Sequence, residues 1–280
     1  MTACIRRRRV VAVPETRLLA TAEGSLAFHL LGEAPPRVAL LPGWGLHVPF
    51  LRTTALWPAL AAWAARHPLL LLDRRGSGDS RANRGAPGPE QFAADLLAVL
   101  EALAVSAVTL WAHADACLAA LALAARGTAP VARLVLQAPF ARLLAAPDAP
   151  VGMAVEDMLA LAALDPTAPV LRELAALGED APGGTEDVVT RFRAGLAAGF
   201  MPRLLSEVST ADARPLLPAV HRPVLVLHGA ADAVVPLAAA EAIAGALPDA
   251  RLRVVSDMGH LPDPERFSVL LAEVEAFLAG

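Results

Sequence analysis

At 280 residues, with 56% hydrophobic and 19% charged side chains, the chain can bury one full core and is too apolar to be disordered. A net charge of −4 gives no general electrostatic case for nucleic acid or an anionic membrane as partner, and the isolated run Arg6-Arg7-Arg8-Arg9 reads as a solvated tail. The apolar run Val10-Val11-Ala12-Val13 is cut off by Pro14 and Glu15 before reaching signal-peptide length, and no uncharged stretch approaches the ~18 residues a membrane helix needs.

In chain order, Arg17 to Ala22 and Leu26 to Leu31 predict an opening hairpin around Glu23-Gly24-Ser25. Val38-Ala39-Leu40-Leu41 predicts a buried strand stopped by Pro42-Gly43, and Leu56 to Arg66 a helix. The strand Leu69-Leu70-Leu71-Leu72 runs into the turn Asp73-Arg74-Arg75-Gly76-Ser77-Gly78, and a helix follows from Pro89 to Ala104. Ala107 to Trp111 and Leu118 to Leu123 predict a strand and a helix, and Arg133 to Leu136 the next strand. The pattern is that of an α/β fold, a mostly parallel sheet flanked by helices.

Between Phe140 and Pro218 the strands stop, and helical pieces are punctuated by Pro147, Pro150, Pro166, Pro169, Pro182-Gly183-Gly184 and Pro202. Val155, Met158, Leu159 and Ala162 have the spacing of an amphipathic helix. Residues 141–218 are therefore expected to form an inserted helical lid, with the sheet domain built from 1–140 and 219–280. Met158, Phe192 and Phe200 are its candidate substrate-binding residues, which points to a small hydrophobic ligand. The core resumes with the strand Val224 to Leu227, the helix Leu237 to Leu247, the strand Leu252 to Val255 and a closing helix, Pro264 to Leu278.

Open parallel sheets place their sites at the carboxyl ends of strands, and three loops there carry the polar groups. The segment Ala112-His113-Ala114-Asp115-Ala116 joins a strand to a helix with small residues two places either side of its centre. Such a reversal holds the central residue at a strained angle and turns its side chain out over the sheet. The other loops are His228-Gly229-Ala230-Ala231-Asp232 and Asp257-Met258-Gly259-His260. A hydroxyl becomes a nucleophile when an imidazole takes its proton, and the imidazole needs a carboxylate to hold its tautomer. Asp232 and His260 supply the carboxylate and the imidazole; position 114 supplies only a methyl group.

These residues, with Leu41-Pro42-Gly43-Trp44 and Asp73-Arg74-Arg75-Gly76-Ser77-Gly78-Asp79-Ser80, resemble the α/β-hydrolases of the lid-bearing esterase, thioesterase and lactonase kind, from Leu18 to Leu278. The resemblance implies Asp232 as triad acid, His260 as base, Ala114 at the nucleophile position, and the backbone N–H groups of Trp44 and Asp115 as oxyanion hole. It implies hydrolysis or transfer of an acyl group from an ester, thioester or lactone, without cofactor. With both partners and the small flanks in place, the chain reads as an inactivated form of a working hydrolase in which Ala114→Ser should restore turnover. The alternatives are a non-hydrolytic cyclase or lyase using the His260–Asp232 pair, and a ligand-binding protein.

Several other residues carry blander expectations. A register with Asp115 as nucleophile would put the bulky His113 at a flank that must be small. Cys117 lies one helical turn beyond Ala114 and reads as core packing. Cys4, in the terminal tail, is not expected to pair with it, which makes the cytoplasm the expected compartment. His113 and His228 read as packing residues, and His29, His47, His67 and His221 lack metal-ligand spacing. Asp73, Arg74 and Arg75 are expected to pin their turn rather than touch substrate.

Overall fold

The computed structural model describes residues 14–33, 35–147, 151–177 and 184–280. Cys4, Arg6 to Arg9, Pro150 and Pro182-Gly183 lie outside the described residues. Its centre is an eight-stranded sheet in the order β1-β2-β4-β3-β5-β6-β7-β8. The strands are β1 (Glu15–Thr21), β2 (Gly24–Leu31), β3 (Val38–Leu41), β4 (Leu69–Leu72), β5 (Val108–His113), β6 (Val131–Gln137), β7 (Val224–Gly229) and β8 (Ala250–Val255). Strands β1 and β2 form the expected hairpin, β2 pairs antiparallel with β4, and every later pairing is parallel.

Both faces of the sheet are covered, so its strands are continuous apolar runs whose alternate residues serve different cores. Leu70 and Leu72 join one cluster with α3 (Pro89–Ala102), α4 (Ala116–Ala125) and α9 (Leu237–Ala246). Leu69 and Leu71 face the other, made by α2 (Trp57–Ala64) and α10 (Pro264–Ala279). Helix α10 starts with the Asp263 carboxylate accepting from the Arg266 amide at 2.8 Å, and Pro264 fills its first turn.

One element was not expected from the sequence: α1 (Val48–Leu51), a single turn capped by His47, whose Nδ1 accepts from the Phe50 amide at 3.2 Å. Between β6 and β7 the chain forms α5 (Val155–Ala162), α6 (Pro169–Ala176), α7 (Gly184–Ala194) and α8 (Phe200–Thr210). This helical stretch carries only isolated bridges among its described residues, Leu144 to Met153 and Leu196 to Ser77. Among the described residues no helix is long and apolar enough to cross a membrane.

Candidate active site

Sheet order reverses at β3, with β4 on one side and β5 on the other, and the loops leaving these strands converge with those after β7 and β8. The β5–α4 junction is the sharp turn that the small flanks predict. Ala114 sits at φ 51° and is completely buried, and its amide donates to the Gln137 carbonyl at 2.9 Å. A β-carbon on Gly43 would lie 2.3 Å from the His113 carbonyl oxygen and 3.0 Å from the Ala114 β-carbon. Only glycine lets the loop after β3 approach the elbow so closely.

Asp232 and His260, 28 residues apart, are brought together: His260 Nδ1 donates to Asp232 Oδ2 at 2.9 Å, with both side chains fully buried. The second oxygen of Asp232 accepts from the amides of Val234 and Val235, each at 2.8 Å. Burial alone would raise this carboxyl, but the facing His260 imidazole with its hydrogen bond, and the two amides, leave it below the ordinary aspartate value.

The opposite nitrogen of His260 is already occupied. The indole Nε1 of Trp44 donates to His260 Nε2 at 2.8 Å. An indole can only donate, so Nε2 is an acceptor and the ring proton sits on Nδ1, facing Asp232. Trp44 itself stacks on Phe140 at 5.8 Å between ring centres and holds φ 52°.

Trp44 and Asp115, named from the sequence for their backbone N–H groups, also engage their side chains. The Trp44 N–H, which the resemblance assigns to the oxyanion hole, donates to Asp115 Oδ1 at 2.6 Å. The other oxygen, Oδ2, accepts from Arg74 Nη1 at 2.5 Å. Arg74 therefore reaches the elbow rather than pinning its own turn. Its guanidinium lies 4.3 Å over the Phe92 ring, and its buried Nε and Nη2 have no partner. Asp73 and Arg75 do hold the turn: Asp73 accepts from the Val48 and Asp79 amides at 2.8 and 2.9 Å, and Arg75 pairs with Asp95 at 2.7 Å.

His113 packs beside His260, 4.7 Å between ring centres, and burial with that neighbour lowers its pKa to about 3. His228 is likewise lowered by burial, and its Nε2 meets the Val235 carbonyl at 3.0 Å. The Cys117 thiol is pushed well above its ordinary value by burial, the state of an inert core thiol. His29, Asp73 and Asp79 could present ligand atoms within 4.8 Å of one another, but Asp73 is committed to the two amides above and to His29.

The lid candidates separate. Phe200 lies over the loop after β3: a β-carbon on Gly45 would be 2.6 Å from its ring. Phe192 is buried between His47 and Phe50, at 6.1 and 5.6 Å between ring centres, and Met158 is partly buried against the same core. Glu173, on α6, had no part in the sequence reading. Its carboxylate accepts from the Leu261 amide at 2.8 Å and ties the inserted helices to the His260 loop, and burial raises its pKa.

With the geometry in view, similarity to known proteins is informative. The model of a family described as "Serine aminopeptidase, S33" matches residues 36–262. A pimeloyl-[acyl-carrier protein] methyl ester esterase of Aromatoleum aromaticum is 34% identical over 260 residues, covering 85% of this chain and 98% of that protein. The crystal structure of a hydrolase from Pseudomonas aeruginosa superposes with a TM-score of 0.71 at 29% identity, covering 95% of this chain and 98% of that one. An enol-lactonase from Burkholderia xenovorans shares the fold, with TM-score 0.75 at 23% identity over 94% of this chain and 100% of that one.

Proposed function

The chain belongs to the α/β-hydrolase family, an ester-hydrolase class, and on that footing we propose that it is an acyl-ester site in which serine chemistry is silenced at position 114. Its ligand is an ester, thioester or lactone of a small hydrophobic acyl compound; relatives named as pimeloyl-[acyl-carrier protein] methyl ester esterases support an acyl ester, though theirs is named with a carrier protein attached. Asp232 and His260 are the remaining acid and base of a Ser-His-Asp mechanism, and the chain binds without turning over.

One observation carries this reading. The elbow keeps its strained φ of 51° but carries only a buried methyl group, while the base nitrogen that would receive a serine proton accepts from Trp44 at 2.8 Å. Removing the nucleophile of such a triad costs about 10⁶ in turnover. The acid–base alternative needs a free His260 Nε2, so it requires Trp44 to leave. The Arg74–Asp115 pair argues that silencing is built into the chain rather than being one serine-to-alanine change, since two further buried charged residues are fitted around the elbow.

The test uses the purified chain with p-nitrophenyl butyrate, a fluorophosphonate probe and dimethyl pimelate. Background hydrolysis, no covalent labelling and a dimethyl pimelate-dependent rise in unfolding temperature are expected. Ester turnover within about 100-fold of the general enzyme median of ~10 s⁻¹, abolished by His260→Ala, would overturn it.

A further inference from the structure

The resemblance places a transition-state oxygen between the N–H groups of Trp44 and Asp115. In the structure that donor from Trp44 is bonded at 2.6 Å to the Asp115 carboxylate, whose other oxygen is held by the Arg74 guanidinium. We infer that Asp115 is an internal plug of the oxyanion hole, held in place by Arg74, and that this chain carries a second lock besides the missing hydroxyl. The inference rests on the ester-hydrolase reading above.

The geometry gives three reasons. First, donors in an oxyanion hole act at about 2.7–3.1 Å from the developing charge, and at 2.6 Å the carboxylate oxygen already sits at Trp44 where that charge would have to come. Asp115 Oδ1 also lies 3.0 Å from where a Gly43 β-carbon would be, so it occupies the gap between the loop after β3 and the elbow. Second, a charged carboxylate is a stronger acceptor than a neutral ester carbonyl, and it is attached to the hole's own backbone. A substrate would have to expel it. Third, Arg74 Nη1 grips the other oxygen at 2.5 Å, and the two side chains are 2% and 0% exposed, so the plug has no solvent to retreat into.

The chemistry that the plug opposes is specific. In serine attack the Oγ–carbon bond forms, the hydroxyl proton passes to His260 Nε2, and the carbonyl π pair moves onto oxygen as negative charge. That charge would develop beside the Asp115 anion instead of between two N–H dipoles. Like charges at such separations are strongly unfavourable in a buried site. Arg74 thus acts as a positioning residue through Asp115, without touching the reacting atoms.

The expectation that Ala114→Ser alone restores turnover is revised accordingly. The experiment compares Ala114→Ser/Trp44→Phe, which supplies the hydroxyl and frees His260 Nε2, with the same protein carrying Arg74→Met/Asp115→Leu. Esterase kcat/KM and the rate of fluorophosphonate labelling are the readouts, with circular dichroism reporting folding. Removing the plug is expected to raise both by about 100-fold or more, the scale of an oxyanion-hole donor. Asp115→Asn in the serine background keeps the shape and an acceptor for Arg74 but removes the charge, and is expected to gain about tenfold. It serves if the apolar replacement fails to fold. Equal activity, within about threefold, of the plugged and unplugged serine variants would overturn the plug alone. An unplugged, folded serine variant that neither hydrolyses nor labels would overturn the ester-hydrolase reading, and the plug with it.

Discussion

The Arg74–Asp115 pair is the feature whose energetics the structure predicts most sharply, because both side chains are buried, at 2% and 0% exposure. Arg74→Met would leave the Asp115 carboxylate with the Trp44 amide and no counter-charge. Asp115→Leu would leave a guanidinium whose Nε and Nη2 are already unpartnered with no hydrogen bond from Nη1 either. Removing one partner of a buried pair costs about 3–5 kcal/mol, whereas replacing both by apolar residues of similar volume is often neutral or better. Two independent losses would sum to roughly 6–10 kcal/mol, so a double variant within about 2 kcal/mol of the parent implies a coupling of at least ~4 kcal/mol. At roughly 2–4 °C per kcal/mol for a domain of this size, each single variant should melt about 6–20 °C lower. Urea unfolding of the parent, both singles and the double measures the cycle directly. Singles that cost under ~1 kcal/mol, or a double that is simply additive, would refute the claim that this pair is a desolvated unit.

Gly43→Ala puts a β-carbon 2.3 Å from the His113 carbonyl and is expected to cost about 2–3 kcal/mol in urea unfolding; an unchanged midpoint would show that the loop is looser than described. His113, neutral in the fold with a pKa of about 3 against an ordinary value of 6.5, makes the unfolded chain the better proton binder below neutrality. Its contribution is therefore complete above about pH 6.5 and declines as pH falls toward 3, by about 2 kcal/mol at pH 5, and His113→Gln should flatten that limb of the stability profile.

What could be read from the sequence, and what could not, divides by separation along the chain. Leu69 to Leu72 announces a strand buried on both faces, and the residues that serve the two cores alternate as a pleat requires. The strained turn at Ala114 follows from a local pattern of small residues. Asp232 and His260 each follow a strand in a loop, which suffices to nominate them before their distance is known. The contacts that close the site bridge 216 residues from Trp44 to His260, 71 from Trp44 to Asp115 and 41 from Arg74 to Asp115, and no local pattern encodes them. An aspartate immediately after the elbow, at the head of a helix apolar on all sides, was the one available signal for the plug. Phe192 illustrates the converse problem: composition marks a lid as apolar but does not separate a residue packed on His47 and Phe50 from one that lines a ligand site.

The site's polar groups also explain how the silenced centre proposed above can be stable. A working triad keeps donors and acceptors poised for groups that arrive only with substrate, at some cost to folding. Here the base nitrogen of His260 is met by an indole, the Trp44 amide by a carboxylate, and that carboxylate by a guanidinium. The first two contacts satisfy groups that serine catalysis would require free, and the third supplies the carboxylate with a counter-charge; buried polar groups left unpaired are costly. Two costs persist: Arg74 Nε and Nη2 stay buried without a partner, and Ala114 and Trp44 remain at φ 51° and 52°, where a β-carbon is disfavoured by roughly 1–2 kcal/mol each. Side-chain replacement can pair up a site, but it cannot relax an elbow that the β5–α4 connection itself imposes.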